Sequence, residues 1–304
     1  MIIGSHVSFK SDGLLGSTKE AISYGANTFM FYTGAPQNTI RKDIDPLKTK
    51  EAHALMLEHG IDLKNVICHA PYIINLANNI DERKWQFSIE FLKNELKRCD
   101  ELGVRYLVLH PGSHVSLERS VGLENILNAL NKVLESDFKC KILLETMALK
   151  GTEIGSLEEI GYLIKNTIKP VGVCIDTCHL NDAGYDLSDF TAFLETFDSI
   201  VGIENIFCIH LNDSKNIIGS HKDRHENLGL GTIGFNTLLN ICYNEKLKNV
   251  PKILETPYIG DTDDSKERKY PPYAYEIDSL KNKKQNPNLL QDIRDYYNKW
   301  PYFW

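Results

Sequence analysis

The run Val171-Gly-Val-Cys-Ile-Asp-Thr-Cys-His179 changes character in its middle. Residues 171–175 are small or apolar and rich in β-branched side chains, the composition of a buried strand. Asp176 ends the run, and His179 follows three residues on in what reads as a loop. Both residue types bind metals, yet aspartate after a strand is also an ordinary turn residue. The segment gains its meaning from repetition. Comparable runs stand at 2–4, 28–32, 66–68, 106–109, 141–144, 207–209 and 252–254. Between them lie segments of helical spacing and composition at 17–25, 46–60, 81–103, 121–135, 156–166, 187–197 and 234–247. Gly25, Gly60 and Gly103 each follow a helical run, as glycine does at a helix C-terminus, and Pro46 suits a first helical turn. Regular β-then-α alternation predicts a parallel sheet, and eight repeats of it predict a closed (β/α)8 TIM barrel of the α/β class. The barrel is expected as a single domain over 1–280, with a helical, aromatic-rich tail over 281–304. An open doubly wound sheet is the competitor, but no dinucleotide glycine fingerprint follows the first strand.

Hydrophobic residues at 42% and charged residues at 25% are ordinary for a globular chain of 304 residues. No stretch reaches the roughly 20 apolar residues of a membrane span. The start, Met1-Ile-Ile-Gly-Ser-His6, lacks the runs of a secretory signal, so a cytoplasmic monomer with no membrane association is expected. The seven cysteines are odd in number and mostly inside apolar runs, which fits buried free thiols better than a disulfide framework. Cys174 and Cys178 have no second cysteine pair to complete a zinc knuckle and are assigned no metal. A net charge of −7 argues against a nucleic-acid partner, because phosphate neutralisation supplies much of duplex affinity. Net charge does not report local patches, however, and bound divalent ions would raise it at the site itself.

The residues at the carboxyl ends of the strands are the strongest signal. His6 follows the first, His69 the third, His110 the fourth, Glu145 the fifth, Asp176 the sixth, His210 the seventh and Glu255 the eighth. In a barrel these ends converge on one mouth, where active sites are built. One histidine or glutamate there is a rim residue; a ligand type at seven of eight ends points to a metal centre. Imidazole with carboxylate and no cysteine suits catalytic zinc or manganese. His179, Asp223 and His225 in adjoining loops bring the candidates beyond what one ion uses, so two or three ions are implied. Clustered divalent ions fit phosphodiester hydrolysis.

Longer motifs accompany these positions: Leu109-His-Pro-Gly-Ser-His114, Leu144-Glu-Thr-Met147, Ile175-Asp-Thr-Cys-His-Leu-Asn-Asp-Ala-Gly-Tyr185, His210-Leu-Asn-Asp-Ser-Lys215 and Asp223-Arg-His-Glu-Asn-Leu-Gly-Leu-Gly231. From Gly4-Ser-His-Val-Ser8 to Glu255-Thr-Pro-Tyr258 the chain resembles the endonuclease IV family, zinc-dependent apurinic/apyrimidinic endonucleases of DNA base-excision repair. The resemblance implies three Zn2+ per chain, with Mn2+ able to take one or more of the places. One ion would be held by His69, His110 and Glu145, a second by Glu145, Asp176, His210 and Glu255, and a third by His179, Asp223 and His225. Glu145 would bridge two ions and is the residue expected to be catalytic, while His6 and His114 stay outside the ligand set.

The implied substrate is double-stranded DNA with abasic sites or blocked 3′ ends. Cleavage would be hydrolysis on the 5′ side, leaving a 3′-hydroxyl and a 5′-deoxyribose phosphate, with 3′-phosphodiesterase activity at the same site. By the same resemblance, loops 33–41 and 70–75 would enter the duplex, with Gln37, Tyr72 and Ile73 as contacts; Arg224, by its charge, is a candidate to meet a phosphate. An abasic nucleotide has lost pairing and stacking, so its extrusion costs less than flipping an intact base. Lys215, Lys222 and Arg41 are further candidates for phosphates. Two rival readings stand: a metal-dependent sugar isomerase or epimerase, which would use a quartet such as Glu145, Asp176, His210 and Glu255, and a non-catalytic DNA-damage binder.

Overall fold

Short runs with inward and outward apolar residues in alternation can only be buried on both faces, and a closed parallel barrel wrapped in helices does this. The computed structural model describes residues 1–299. Its barrel strands are Ile3–His6 (β1), Thr28–Phe31 (β2), Ile67–His69 (β3), Tyr106–Leu109 (β4), Lys141–Glu145 (β5), Gly172–Asp176 (β6), Ile206–His210 (β7) and Lys252–Leu254 (β8). They pair in sequence order, all parallel, and β8 closes on β1.

A strand's period of two then decides what the mouth contains. Met30, Ile67, Val108, Leu143, Cys174, Cys208 and Ile253, one from each of β2 to β8, form a buried layer inside the barrel. β1 offers Gly4 at this level, where a Cβ would lie 1.8 Å from the Thr28 carbonyl oxygen. Two residues further along each strand the same inward face carries His6, Tyr32, His69, His110, Glu145, Asp176, His210 and Glu255 in turn. The apolar layer is thus the floor of a polar ring. Outward residues such as Phe29, Phe31, Leu107, Leu109, Ile142 and Leu144 belong to the larger core between strands and helices.

The helices are Gly13–Ser23 (α1), Pro46–Glu58 (α2), Glu82–Leu102 (α3), Arg119–Leu134 (α4), Leu157–Asn166 (α5), Thr177–Ala183 (α6), Phe190–Ile200 (α7), Phe235–Cys242 (α8), Tyr273–Lys281 (α9) and Leu289–Lys299 (α10). Local signals set their ends. Asp45 caps α2 with Pro46 in its first turn, Ser156 and Glu159 form a capping box on α5, and Gly103 ends α3 at φ 75°. The helix expected over 234–247 divides into α8 and a 3-10 turn, Glu245–Leu247. α6 is a departure from expectation, because His179 lies in this helix and not in a loop. Seven residues are too few for a periodicity to be seen. The Asp176 carboxylate starts the helix by accepting the His179 N–H at 2.8 Å, and Gly184 ends it at φ 107°.

In the tail, α10 buries Leu289, Ile293 and Tyr297 in a cluster with Ile259 and Tyr270 on the side of the barrel. The final residues of the aromatic run, Trp300 to Trp304, lie outside the described residues.

Candidate metal centre

Glu145 ends β5 at 1% exposure, and four imidazoles surround its carboxylate. His69 Nε2 and His110 Nε2 each lie 3.1 Å from Oε2, while His210 Nδ1 at 3.0 Å and His179 Nδ1 at 3.3 Å face Oε1. Burial alone would raise this carboxyl, but His210 and His110 hold it well below the usual range, so it remains a carboxylate. Burial likewise opposes charge on His110, and Glu145 overrides it and moves the imidazole up.

The other ring nitrogens settle which atom each histidine presents. His69 Nδ1 lies 2.7 Å from the Ala70 carbonyl oxygen, His179 Nδ1 2.8 Å from that of Thr146, and His225 Nδ1 3.2 Å from that of Glu255. With Nδ1 directed at these carbonyls, Nε2 is the atom turned toward the carboxylates in all three, the usual arrangement behind a metal-binding imidazole. His210 is turned the other way, with Nδ1 facing Glu145 and also 3.1 Å from Glu255 Oε2.

Three groups of donors result. His69, His110 and Glu145 form one, and Glu145, Asp176, His210 and Glu255 a second, each with its donor atoms within 4.8 Å of one another. In the third, the donors of His179 and His225 gather within 4.8 Å of one another with Asp176, and Asp223 stands beside both histidines. His179 Nε2 is 3.0 Å from Asp223 Oδ1, and His225 Nε2 is 3.7 Å from Asp223 Oδ1 and 3.6 Å from Asp176 Oδ2. His225 Nε2 is buried without a hydrogen-bond partner. Donors about 2.0–2.1 Å from a tetrahedral ion stand roughly 3.3 Å apart. The spacings here are near that edge, and a buried nitrogen facing two carboxylates beyond hydrogen-bond reach matches a ligand more closely than a donor. The residues therefore fit divalent cations.

All nine sequence-derived candidates, His69, His110, Glu145, Asp176, His179, His210, Asp223, His225 and Glu255, meet at this mouth. His6 joins the ring without joining a donor group; its Nε2 is buried and unpartnered, and burial pushes its imidazole down to about 4. His114 lies apart, with Nδ1 2.6 Å from the Leu117 carbonyl oxygen. Three cysteines, Cys174, Cys178 and Cys208, lie beside these donors. The Cys178 sulfur falls within 4.8 Å of donors on Asp223 and His225, and Cys174 and Cys208 approach His210 likewise. Cys178 is buried and its thiol is pushed up, which keeps it protonated and a poor ligand.

Supporting residues were also invisible to spacing. Asn212 donates Nδ2 to Asp176 Oδ2 at 2.8 Å and accepts the Glu255 N–H at 2.8 Å, so one amide sets two ring members. The Asp213–Ser214 segment pairs antiparallel with His225–Glu226 and thereby brings His225 to the mouth. Asp213 accepts the N–H groups of Gly229, Gly231 and Ile233 at 2.9, 3.1 and 3.0 Å, which accounts for the glycine-rich turn that follows.

Of the residues expected at DNA, Gln37 and Arg224 are exposed, and Tyr72 and Ile73 stand 56% and 36% exposed after β3. Arg41 is a correction. Its guanidinium is buried against Glu95 at 2.7 Å and holds the carbonyls of Asn38 and Ile40, so it anchors loop 33–41 from beneath and does not face a phosphate.

A barrel with this ring of donors defines the xylose isomerase-like TIM-barrel class, and the family of that description matches residues 18–283. Curated relatives narrow the class. "Probable endonuclease 4" of Mycoplasma mycoides subsp. mycoides is 48% identical over 288 residues, covering 93% of this chain and 97% of its own. That of Bacillus subtilis is 47% identical over 296 residues, covering 96% and 98%. The crystal structure of endonuclease IV from Thermus thermophilus superposes with a TM-score of 0.77 at 30% identity, over 93% of this chain and 98% of that one. The chain belongs to the endonuclease IV family. A D-tagatose 3-epimerase-like protein, at TM-score 0.66 and 20% identity, shares the fold.

Proposed function

We propose that this protein is a zinc-dependent endonuclease that hydrolyses the phosphodiester 5′ to an abasic site in double-stranded DNA, and that it also trims blocked 3′ ends. Water adds across the P–O3′ bond: its oxygen joins phosphorus, one of its protons ends on the departing 3′ oxygen, the other stays with the new phosphate monoester or passes to solvent, and the products are a 3′-hydroxyl and a 5′-deoxyribose phosphate. The observation that carries the reading is Glu145, a buried carboxylate with separate imidazole sets on its two oxygens. Only a carboxylate could serve two neighbouring ions in this way.

His69, His110 and Glu145 would hold one ion, Glu145, Asp176, His210 and Glu255 a second, and His179, Asp223 and His225 a third. Bound divalent cations supply Lewis acidity, to the nucleophile and the leaving oxygen alike. The protein's own part is to keep Glu145 ionised and to orient His69, His179 and His225 through their Nδ1 contacts with main-chain carbonyls, so that Nε2 faces the donor groups. Tyr72 and Ile73, exposed beside the mouth, are suited to fill the space left by an extruded sugar, Gln37 to contact the duplex, and Arg224 to meet a phosphate. A sugar isomerase would need the quartet around Glu145 but neither the Asp223 and His225 group nor exposed apolar side chains at the rim. The seven cysteines are free and buried, which suits a reducing, cytoplasmic setting, and the protein is read as acting as a monomer.

The test uses a labelled duplex carrying one tetrahydrofuran abasic analogue, which cannot undergo β-elimination. Incision on its 5′ side, lost after chelation and restored by zinc, is expected. A folded, zinc-loaded sample that leaves the duplex intact would overturn the proposal.

A further inference from the structure

The third donor group unites two distant parts of the chain: His179 lies on α6, whereas Asp223 lies on the segment between Ser214 and His225. That segment is under backbone strain. His221 and Asp223 both adopt left-handed conformations, at φ 53° and 56°, although neither is glycine. Such conformations are unfavourable for residues with a side chain and persist where their surroundings hold them.

The His221 ring meets the Ala148 carbonyl at 3.0 Å and the Gly219 N–H reaches the Asn181 carbonyl at 2.9 Å, but one residue contacts the main chain of both strained positions. Asp182 is fully buried on α6, three residues beyond His179. Its Oδ2 accepts the Asp223 N–H at 2.9 Å and the Asn216 side-chain amide at 3.0 Å. Its Oδ1 accepts the Ser214 hydroxyl at 2.7 Å and the Asn181 amide at 3.0 Å. Its main-chain carbonyl accepts the His221 N–H at 2.9 Å. Asp182 therefore grips both left-handed residues, and every side-chain donor to it is neutral. A carboxylate taken out of water without a cation is costly to bury, so its hydrogen bonds must compensate. What they fix is the Asp223 main chain, from which the Asp223 carboxylate reaches His179 Nε2 at 3.0 Å.

We propose that Asp182 is the positioning residue of the third ion: it locks the strained 221–223 turn onto α6, so that Asp223 and His179 form one site. The proposal rests on the three-ion reading above and concerns metal affinity, not the chemical step.

The experiment counts zinc per chain on the full-length protein and measures stepwise affinities against a chromogenic chelator. Wild type is compared with Asp182→Ala and with Ser214→Ala, which removes another partner of the same carboxylate without touching Asp223. Circular dichroism monitors the fold. Loss of a supporting hydrogen bond behind a ligand lowers metal affinity by about 10–100-fold. Asp182→Ala is expected to weaken the third equivalent by that factor with the first two unchanged, and Ser214→Ala to keep all three. Should Asp182→Ala not fold, Asp182→Asn, which keeps the shape and one acceptor oxygen, is measured in its place. Three wild-type affinities in the Asp182 variant would overturn the proposal, and equal weakening of all equivalents would reduce Asp182 to a general structural role. A wild-type protein that itself holds only two ions removes the three-ion reading, and this inference with it.

Discussion

Two buried glutamates in this protein experience opposite surroundings. Glu145 is held ionised by His210 and His110 despite its burial. Replacement by glutamine keeps the shape but leaves a neutral amide whose NH2 cannot bind a cation, so Glu145→Gln should retain the far-ultraviolet spectrum and lose on the order of a thousandfold in incision. Wild-type cutting by this variant would exclude the bridging role. Glu276 on α9 has only neutral donors, namely Thr256, the Leu228 N–H at 3.0 Å and Asn227 at 3.1 Å, and burial pushes its carboxyl up to about 7. Between its unfolded value, near 4.3, and about 7 the native state binds the extra proton. Stability from this group is complete below that window and falls by about 1.4 kcal/mol per pH unit as pH rises through it. The fall ends above about 7. Thermal unfolding from pH 5 to pH 8 should therefore decline more steeply in wild type than in Glu276→Gln; parallel curves would mean that Glu276 does not titrate there.

At the level of elements, the strands and the site were legible for one common reason. A buried strand reads as a short apolar run, so the polar residue that ends it could be read from the sequence, and His69, Glu145, Asp176 and His210 each prove to be the final residue of a strand. Features without a period stayed hidden. α6 is too short for one, and Asp182, Asn212 and Asp213 act through hydrogen bonds to main chain and amides that no spacing encodes. Arg41 was misjudged because a basic residue in a polar loop looks solvent-facing, whereas its partner Glu95 lies 54 residues away on α3. That pair makes a prediction about loop 33–41. Thr33 donates to the other Glu95 oxygen at 2.6 Å, and Arg98 holds Thr33 in turn. Arg41→Ala leaves Glu95 buried and unpaired, which costs about 3 kcal/mol. Denaturant unfolding should show that loss, and, if loop 33–41 meets the duplex as proposed, KM for abasic duplex should rise more than kcat falls. An unchanged KM in a destabilised variant would separate the loop from the substrate.

For the whole molecule, the difficulty is how a chain of net charge −7 engages a polyanion. Four of its 41 acidic residues, Glu145, Asp176, Asp223 and Glu255, meet at the mouth itself, where they oppose the approach of phosphate unless cations offset them. Three divalent ions would offset most of the formal charge, and they would do so at the surface that meets DNA, beside the exposed Lys222 and Arg224. On the proposed three-ion reading, metal binding is a condition for docking as well as for chemistry. A duplex with an abasic analogue and a non-hydrolysable phosphonate at the 5′ linkage separates the two. Zinc-loaded protein should bind it at least about tenfold more tightly than chelated protein in roughly 50 mM salt, where the Debye length still spans the mouth. The ratio should shrink by about 300 mM salt, because screening weakens a field effect. A ratio that ignores salt would assign the gain to direct contacts with the ions, and equal affinities at low salt would mean that the ions do not face the bound duplex.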